Sequence, residues 1–180
     1  MFTYLSGSLC LDLAATLEAQ HSRNPRELLT TGSDVTAWLD QAGLGAGIAV
    51  DSAGHERTIA LREAIDRLCR RTGRAADRAF LNRIAANPPL VPYWTGRMIE
   101  NLGGLREAHS TLARDAILLL SDSGTARIRE CRHPGCSRLF HDVSRAGRRR
   151  WCCMKSCGTK TKSATYRTRL KERTGTTSDR

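Results

Sequence analysis

The stretch "CRHPGCSRLFHDVSRAGRRRWCCMKSC", Cys131 to Cys157, decides how this chain is read. It holds five of the seven cysteines, and four of them form two evenly spaced pairs, Cys131-x4-Cys136 and Cys152-x4-Cys157, with fifteen residues between the pairs. Two such pairs, each held in a tight turn, can supply four thiolates to one tetrahedral Zn²⁺ with Zn–S near ~2.3 Å. Pro134 and Gly135 are turn formers inside the first pair. A four-thiolate site leaves no open position, so its role is structural rather than catalytic. Buried thiols or a redox pair are the alternative readings of the same residues.

Cys153 competes with Cys152 for the fourth position, but it would leave only three residues before Cys157 and break the symmetry of the pairs. His133 and His141 are rival ligands on chemical grounds, and each reads more simply as a surface residue. Cys10 and Cys69 lie in apolar helical contexts and read as core packing. Between Cys131 and Cys157 the larger apolar residues are Leu139, Phe140, Val143, Trp151 and Met154, too few for an unaided core. Metal binding worth ~10–16 kcal/mol in small zinc modules would supply the missing free energy. Trp151 then serves as a hydrophobic plug.

Working outward, charge divides the chain. Residues 127–180 carry 16 Lys/Arg against 4 Asp/Glu, whereas residues 1–126 carry 13 against 14, so the net charge of +11 belongs to the C-terminal third. Such asymmetry favours a polyanionic partner, nucleic acid before membrane. The apolar start "MFTYLSGSLCLDLAA" lacks a basic leader and is interrupted by Asp12, and no apolar run approaches membrane-spanning length. A cytoplasmic location without membrane association is the expectation.

Upstream the pattern is helical. Leu9, Leu13 and Leu17 mark a first helix fading near Pro25, and Ser33 is placed to cap a second that carries Val35, Trp38 and Leu39 and stops at Gly43. Ile59, Leu61, Ala64, Ile65 and Leu68 mark a longer helix leaving at Gly73, and Phe80, Leu81 and Ile84 another, ended by "NPPLVP". "LVPYWT" holds a short strand at best. A broadly apolar helix from Leu105 to Leu120 is the expected centre of this domain. "SDSGT", Ser121 to Thr125, is the expected boundary, after which Arg127–Glu130 pairs with "RLFHDV" and a basic helix runs from Thr159 to Arg173.

The finger residues resemble the CGNR zinc finger, a bacterial module running C-x4-C, F-x-D-x-S-R-x-G-x-R-R-W-C, then C-G-N-R and a basic helix. Phe140, Asp142, Ser144, Arg145, Gly147, Arg149, Arg150, Trp151, Cys152, Cys157 and Gly158 match it position by position. The match favours Cys152 over Cys153. The family joins this finger to an ABATE domain, whose opening motif "LCLDLAATL", Leu9 to Leu17, resembles. Thr159-Lys160 replaces the motif's Asn-Arg, and Leu13 and Ala15 replace its Phe and Asn. Lys keeps the charge of Arg without its fork, while Thr159 is placed to cap the helix as Asn would.

The resulting expectation is an α+β, mostly α chain. It has a helical domain over 1–124, a small treble-clef-like zinc finger with a short β-hairpin and basic helix over 125–173, and a flexible tail over 174–180. The resemblance implies a stress-induced transcription regulator with one structural Zn²⁺ held by Cys131, Cys136, Cys152 and Cys157, and double-stranded DNA as partner. Arg145, Arg148, Arg149, Arg150, Lys155, Lys160, Lys162, Arg167 and Arg169 are the DNA-contacting candidates. The alternative is a zinc-stabilised RNA-binding or protein-interaction module, with redox sensing through Cys153 as a further reading. A sensory role with an unidentified small-molecule ligand, or homodimerisation, is left to the N-terminal domain. His21, His55 and His109 read as scattered surface residues, and Asp142 as a turn carboxylate pairing with arginines. No nucleophile and base, phosphate loop or second carboxylate cluster points to an enzyme.

Overall fold

Carboxylates and hydroxyls next to the chain reversals decide where the helices begin. The computed structural model describes residues 2–121 and 126–175, of which the side chains of Thr165 and 169–175 are left aside. Helix α1 spans Leu9–Ala14, α2 Gly32–Gln41, α3 Ser52–Cys69, α4 Ala75–Ala85 and α5 Leu105–Leu119. At α2 the Asp34 amide donates to the Thr31 hydroxyl (3.2 Å) while the Thr31 amide donates to the Asp34 carboxylate (2.8 Å). Thr31, not Ser33, is therefore the cap, because this reciprocal pair satisfies two otherwise orphaned donors. The Gly54 amide donates to Asp51 (2.7 Å) at α3, Arg74 to Asp77 (2.8 Å) at α4 and Gly104 to Glu107 (2.9 Å) at α5.

The first helix is shorter than its leucine spacing suggests. The Thr16 hydroxyl donates to the Leu13 carbonyl (2.7 Å), Ala19 turns the chain with φ 51°, and Leu17–Glu18 (β1) pairs antiparallel with Arg26–Glu27 (β2). Every side chain from Cys10 to Ala15 is buried, so α1 is a short plug rather than a surface helix. It packs between α3 and α5, with α4 against both. Leu11, Leu13, Leu29, Trp38, Leu39, Leu61, Ile65 and Leu112 form the interior. After α3 the left-handed residue is Arg71 (φ 63°), not Gly73. Gly73 is needed for another reason: a Cβ there would meet Leu68 Cδ2 at 2.6 Å.

Residues Val91–Trp94 (β3) do form a strand, and its partner Ile99–Leu102 (β4) completes a hairpin absent from the periodicity reading. Ile128–Glu130 (β5) pairs with Leu139–His141 (β6) as expected. The boundary residues Asp122–Thr125 and the end of the tail, 176–180, lie outside the described residues.

The finger is docked on the helical domain rather than strung after it. The His141 amide donates to the Ser6 carbonyl (2.7 Å), and Leu139 is buried in the same core as the α1 leucines. Arg70 on α3 reaches across to the Ser137 carbonyl (2.6 Å) and Glu130 (2.9 Å), its guanidinium held by Asp66 (3.0 Å). Arg138 reaches back to the Thr3 carbonyl (3.0 Å) and hydroxyl (2.6 Å).

His109 on α5 is 2% exposed, which corrects its reading as a surface residue. Its Nε2 lies 2.8 Å from the Thr58 hydroxyl, whose own proton goes to the Gly54 carbonyl (2.8 Å), so Nε2 is the donor. Burial, with the nearby Arg57 charge, pushes its pKa down from 6.5 to about 4. The unfolded chain takes up this proton as pH falls through 6.5, whereas the folded chain resists until about 4. Stability from His109 is thus full above pH 6.5 and is lost towards pH 4, by up to ~3 kcal/mol. Urea titrations of His109→Gln, which keeps a donor, should show a shallower loss than the wild type across that window.

Candidate metal centre and basic surface

Two turns and one strand pair bring the four sulfurs together. The Cys131 amide donates to the Arg138 carbonyl (3.0 Å) beside the β5–β6 pair, and the Cys136 amide to the His133 carbonyl (2.9 Å), with Gly135 at φ 85° making the first knuckle. The second pair is set by a wide helical turn, Met154–Gly158, in which the Gly158 amide donates to the Cys153 carbonyl (3.0 Å). That turn runs directly into α6, Thr159–Gly175. Helical backbone therefore begins one turn before Thr159. Its hydroxyl donates back to the Met154 carbonyl (3.1 Å) and does not cap α6.

The Sγ atoms of Cys131, Cys136, Cys152 and Cys157 all lie within 4.8 Å of one another. Cys136 to Cys152 is 3.9 Å and Cys152 to Cys157 is 3.7 Å. A tetrahedron with Zn–S of ~2.3 Å has edges of ~3.8 Å, so the cage has the size of a ZnS₄ centre. Cys131 and Cys152 are buried and the other two half-buried. Without a cation the sulfurs compete for charge: the Cys152 thiol pulls Cys136 down to about 5, while that same contact and burial push Cys152 upward. Burial with the neighbouring thiolate raises Cys157 to about 11. A divalent ion relieves this conflict by holding all four as thiolates.

Cys153 stands outside the cage, as do His133 and His141. The Ser156 hydroxyl and amide hold the Cys153 thiol below its ordinary value. Around the cage, Phe140 is fully buried against Cys131 and Cys152, with Trp151 half-buried beside them. Asp142, also fully buried, organises the inter-knuckle loop: it accepts from the Ser144 amide (3.0 Å) and hydroxyl (2.6 Å) and the Arg149 amide (2.9 Å), and faces Arg129 at 3.3 Å.

The basic residues divide into two kinds. Arg149 stacks its guanidinium 4.7 Å from the Phe140 ring centre and donates to the carbonyls of Trp151 (2.9 Å) and Cys152. Arg145, Arg148, Arg150, Lys155, Lys160, Lys162 and Arg167 are exposed, with Arg150 lying over the Trp151 ring at 5.2 Å. The Arg169 side chain lies outside the described residues. Arg129 and Arg132, which the cysteine-centred reading passed over, line a cleft of about 490 Å³ with Arg148, Arg149 and Arg150. Their signal was present in "RIRECR", where they flank the first ligand on the strand that the Arg150 carbonyl meets at the Arg132 amide (3.0 Å).

Residues 7–123 match the ABATE family model, described as "Putative stress-induced transcription regulator". The chain belongs to the ABATE family. In this ABATE protein, residues 127–170 match the CGNR zinc finger, covering all four clustered cysteines. The match and the cage geometry together make this a structural zinc site, one ion per chain. A search of curated proteins finds no match to the chain.

Metal analysis of the purified ABATE protein should return one zinc per chain, lost in Cys131→Ser and kept in Cys153→Ser. Zinc should leave on acidification, because protons compete for the thiolates, and a colorimetric chelator will register the release. Arg149→Lys keeps the charge but cannot serve two carbonyls and a ring face together, so Arg149→Lys and Arg149→Ala should both weaken zinc retention against that chelator about tenfold.

Proposed function

We propose that this ABATE protein is a DNA-binding transcription regulator whose zinc finger presents fixed cations to the phosphate backbone. The observation that carries the reading is the cleft between β5 and the inter-knuckle loop, where five arginines converge beside a metal-braced turn. Four of them, Arg129, Arg132, Arg148 and Arg150, expose their side chains. Charges held on a rigid surface bind a polyanion with less entropy loss than charges on mobile chain.

Helix α6 supplies a second set of exposed cations. Lys160, Lys162, Tyr166 and Arg167 are all exposed, and none of the described side chains from Tyr166 to Thr168 is buried. A polar helix anchored at one end by the zinc turn suits a groove, with its lysines and arginines meeting phosphates on either side. Arg149 acts differently, as a positioning residue that keeps the loop on the cage. The helical domain, near neutral in net charge, is assigned the sensing or assembly role.

Binding of duplex DNA, followed by fluorescence anisotropy from 50 to 300 mM salt, tests the reading. If about six phosphates are neutralised, log affinity should fall with log salt at a slope near ~−5, and Arg148→Ala or Arg132→Ala should each reduce that slope by about one. Salt-insensitive binding, or clear preference for structured RNA over duplex DNA, would overturn it.

A further inference from the structure

The zinc cage borders a cavity. This space, about 450 Å³, lies where the finger meets the helical domain, and Cys136, Cys152 and Cys157 all line it. Its volume falls within the ~300–1,000 Å³ of small-molecule pockets, which gather at such junctions. Leu5, Ala14, Ala15, Leu17 and Leu139 supply the apolar part of its lining. Arg70 and Arg138 also reach it, but their guanidiniums are engaged, by Asp66 (3.0 Å) and Ser137 (2.6 Å) in one case and by Thr3 (3.0 and 2.6 Å) in the other. Lys160 differs from both: it is exposed, lines the cavity, and has no ion-pair or hydrogen-bond partner among the described residues.

The three cysteines do not meet the cavity on equal terms. Cys152 is only 3% exposed. Cys136 is half-buried, and the Arg138 amide donates to its sulfur. Cys157 is half-buried too, but among the described residues only neighbouring cysteines meet its sulfur. Hydrogen bonds that stabilise a thiolate also lower its nucleophilicity, so Cys157 keeps more of it than Cys136 does. Lys160 follows Cys157 by three residues, where the wide turn runs into α6, and that spacing puts two side chains on one helical face.

We propose that Cys157 is a modification site for small uncharged α,β-unsaturated carbonyl compounds, with Lys160 polarising the carbonyl. Zinc, when bound, holds the four sulfurs as thiolates, so the nucleophile is present at neutral pH. Cys157 Sγ gives an electron pair to the β-carbon and an S–C bond forms. The C=C π pair moves towards the carbonyl, whose oxygen takes on negative charge and accepts a hydrogen bond from the Lys160 ammonium. Water then protonates the α-carbon, leaving hydroxide; nothing is oxidised or reduced. The sulfur ends as a neutral thioether, a poorer ligand than a thiolate. Charge and lining select the substrate class. Four thiolates around one divalent cation leave the cage net negative, which repels anionic electrophiles, and the apolar lining suits a hydrocarbon body. An unpartnered donor beside the nucleophile favours a conjugated carbonyl over an alkyl halide, which has no carbonyl oxygen to accept from it.

The test uses the intact zinc-loaded chain without DNA, cyclohexenone as probe, and Cys153, which does not line the cavity, as internal reference. Peptide mapping by mass spectrometry should find the adduct on Cys157, with zinc released in step. Lys160→Met should slow labelling of Cys157 about tenfold and leave Cys153 unchanged, a smaller effect than the ~10²–10³-fold of a water-excluded oxyanion site because Lys160 is exposed. Lys160→Arg, which keeps a charged donor, should recover most of the rate. Labelling confined to Cys153, labelling of Cys157 only after a chelator has taken the zinc, or an unchanged rate in Lys160→Met overturns the proposal. It rests on the zinc assignment, which metal analysis tests separately, and not on the DNA reading.

Discussion

Four sulfurs that must share one cation are the constraint on which the C-terminal third depends. The finger's own interior consists of Phe140 and two of the ligands, Cys131 and Cys152, with Trp151 and the remaining cysteines partly covered. Burial on that scale is worth only a few kcal/mol at ~25 cal/mol per Å², far less than the entropy of ordering some forty residues. The metal supplies the difference, and the arrangement of everything nearby follows from closing the cage. Asp142 folds the loop between the knuckles, Arg149 ties that loop to the backbone of Trp151 and Cys152, and the wide turn at Met154–Gly158 delivers the last thiolate and launches α6.

Strand β6 makes the cage part of a larger body. Successive residues of a strand point to opposite faces. Leu139 therefore enters the core formed by the helices, while Phe140 enters the core of the finger. One strand is the wall between two interiors, and Arg70 and Arg138 tie the chain just before it to α3 and to the N-terminal segment. These arginines are half-buried and meet carbonyls as well as carboxylates, so they matter more than the exposed ion pairs such as Arg26 with Glu18. Arginine thus has two uses here. It braces the fold where its five donors find fixed acceptors, and it projects charge where none are near.

What could be read from the sequence follows the range of the interactions. The zinc ligands were legible because knuckle geometry is local: turn residues and equal spacing select Cys152 over Cys153 without any knowledge of the fold. The long helices were legible from period alone, and the β5–β6 hairpin from its flanking turns. The short first helix was not, because Leu17 continues the helical spacing and only its pairing with Glu27, ten residues on, removes it. His109 was read as exposed since its partner Thr58 lies 51 residues away. Arg149 looked like one more cation in "RRR", and nothing short of the loop's fold distinguishes it from Arg148 and Arg150. For His109 the deciding contact joins residues far apart in the chain, whereas for Arg149 it is local but depends on how the loop between the knuckles folds.

The shared strand also changes what zinc means for the chain as a whole. If the finger were a separate bead, metal loss would unfold it and leave the ABATE helices unaffected. Here β6 is shared: Leu139 lies in the main core and Arg70 meets Ser137 and Glu130, so any loosening of β6 on loss of the cage would be felt by the helices. A buried leucine removed from a packed core costs about 2–5 kcal/mol, a large share of the stability of a domain this size. Zinc binding is then linked to the stability of the helical domain through one strand and one guanidinium. The same linkage runs in reverse, since any ligand or partner that holds α1 and α3 in place also holds the wall on which the cage is built.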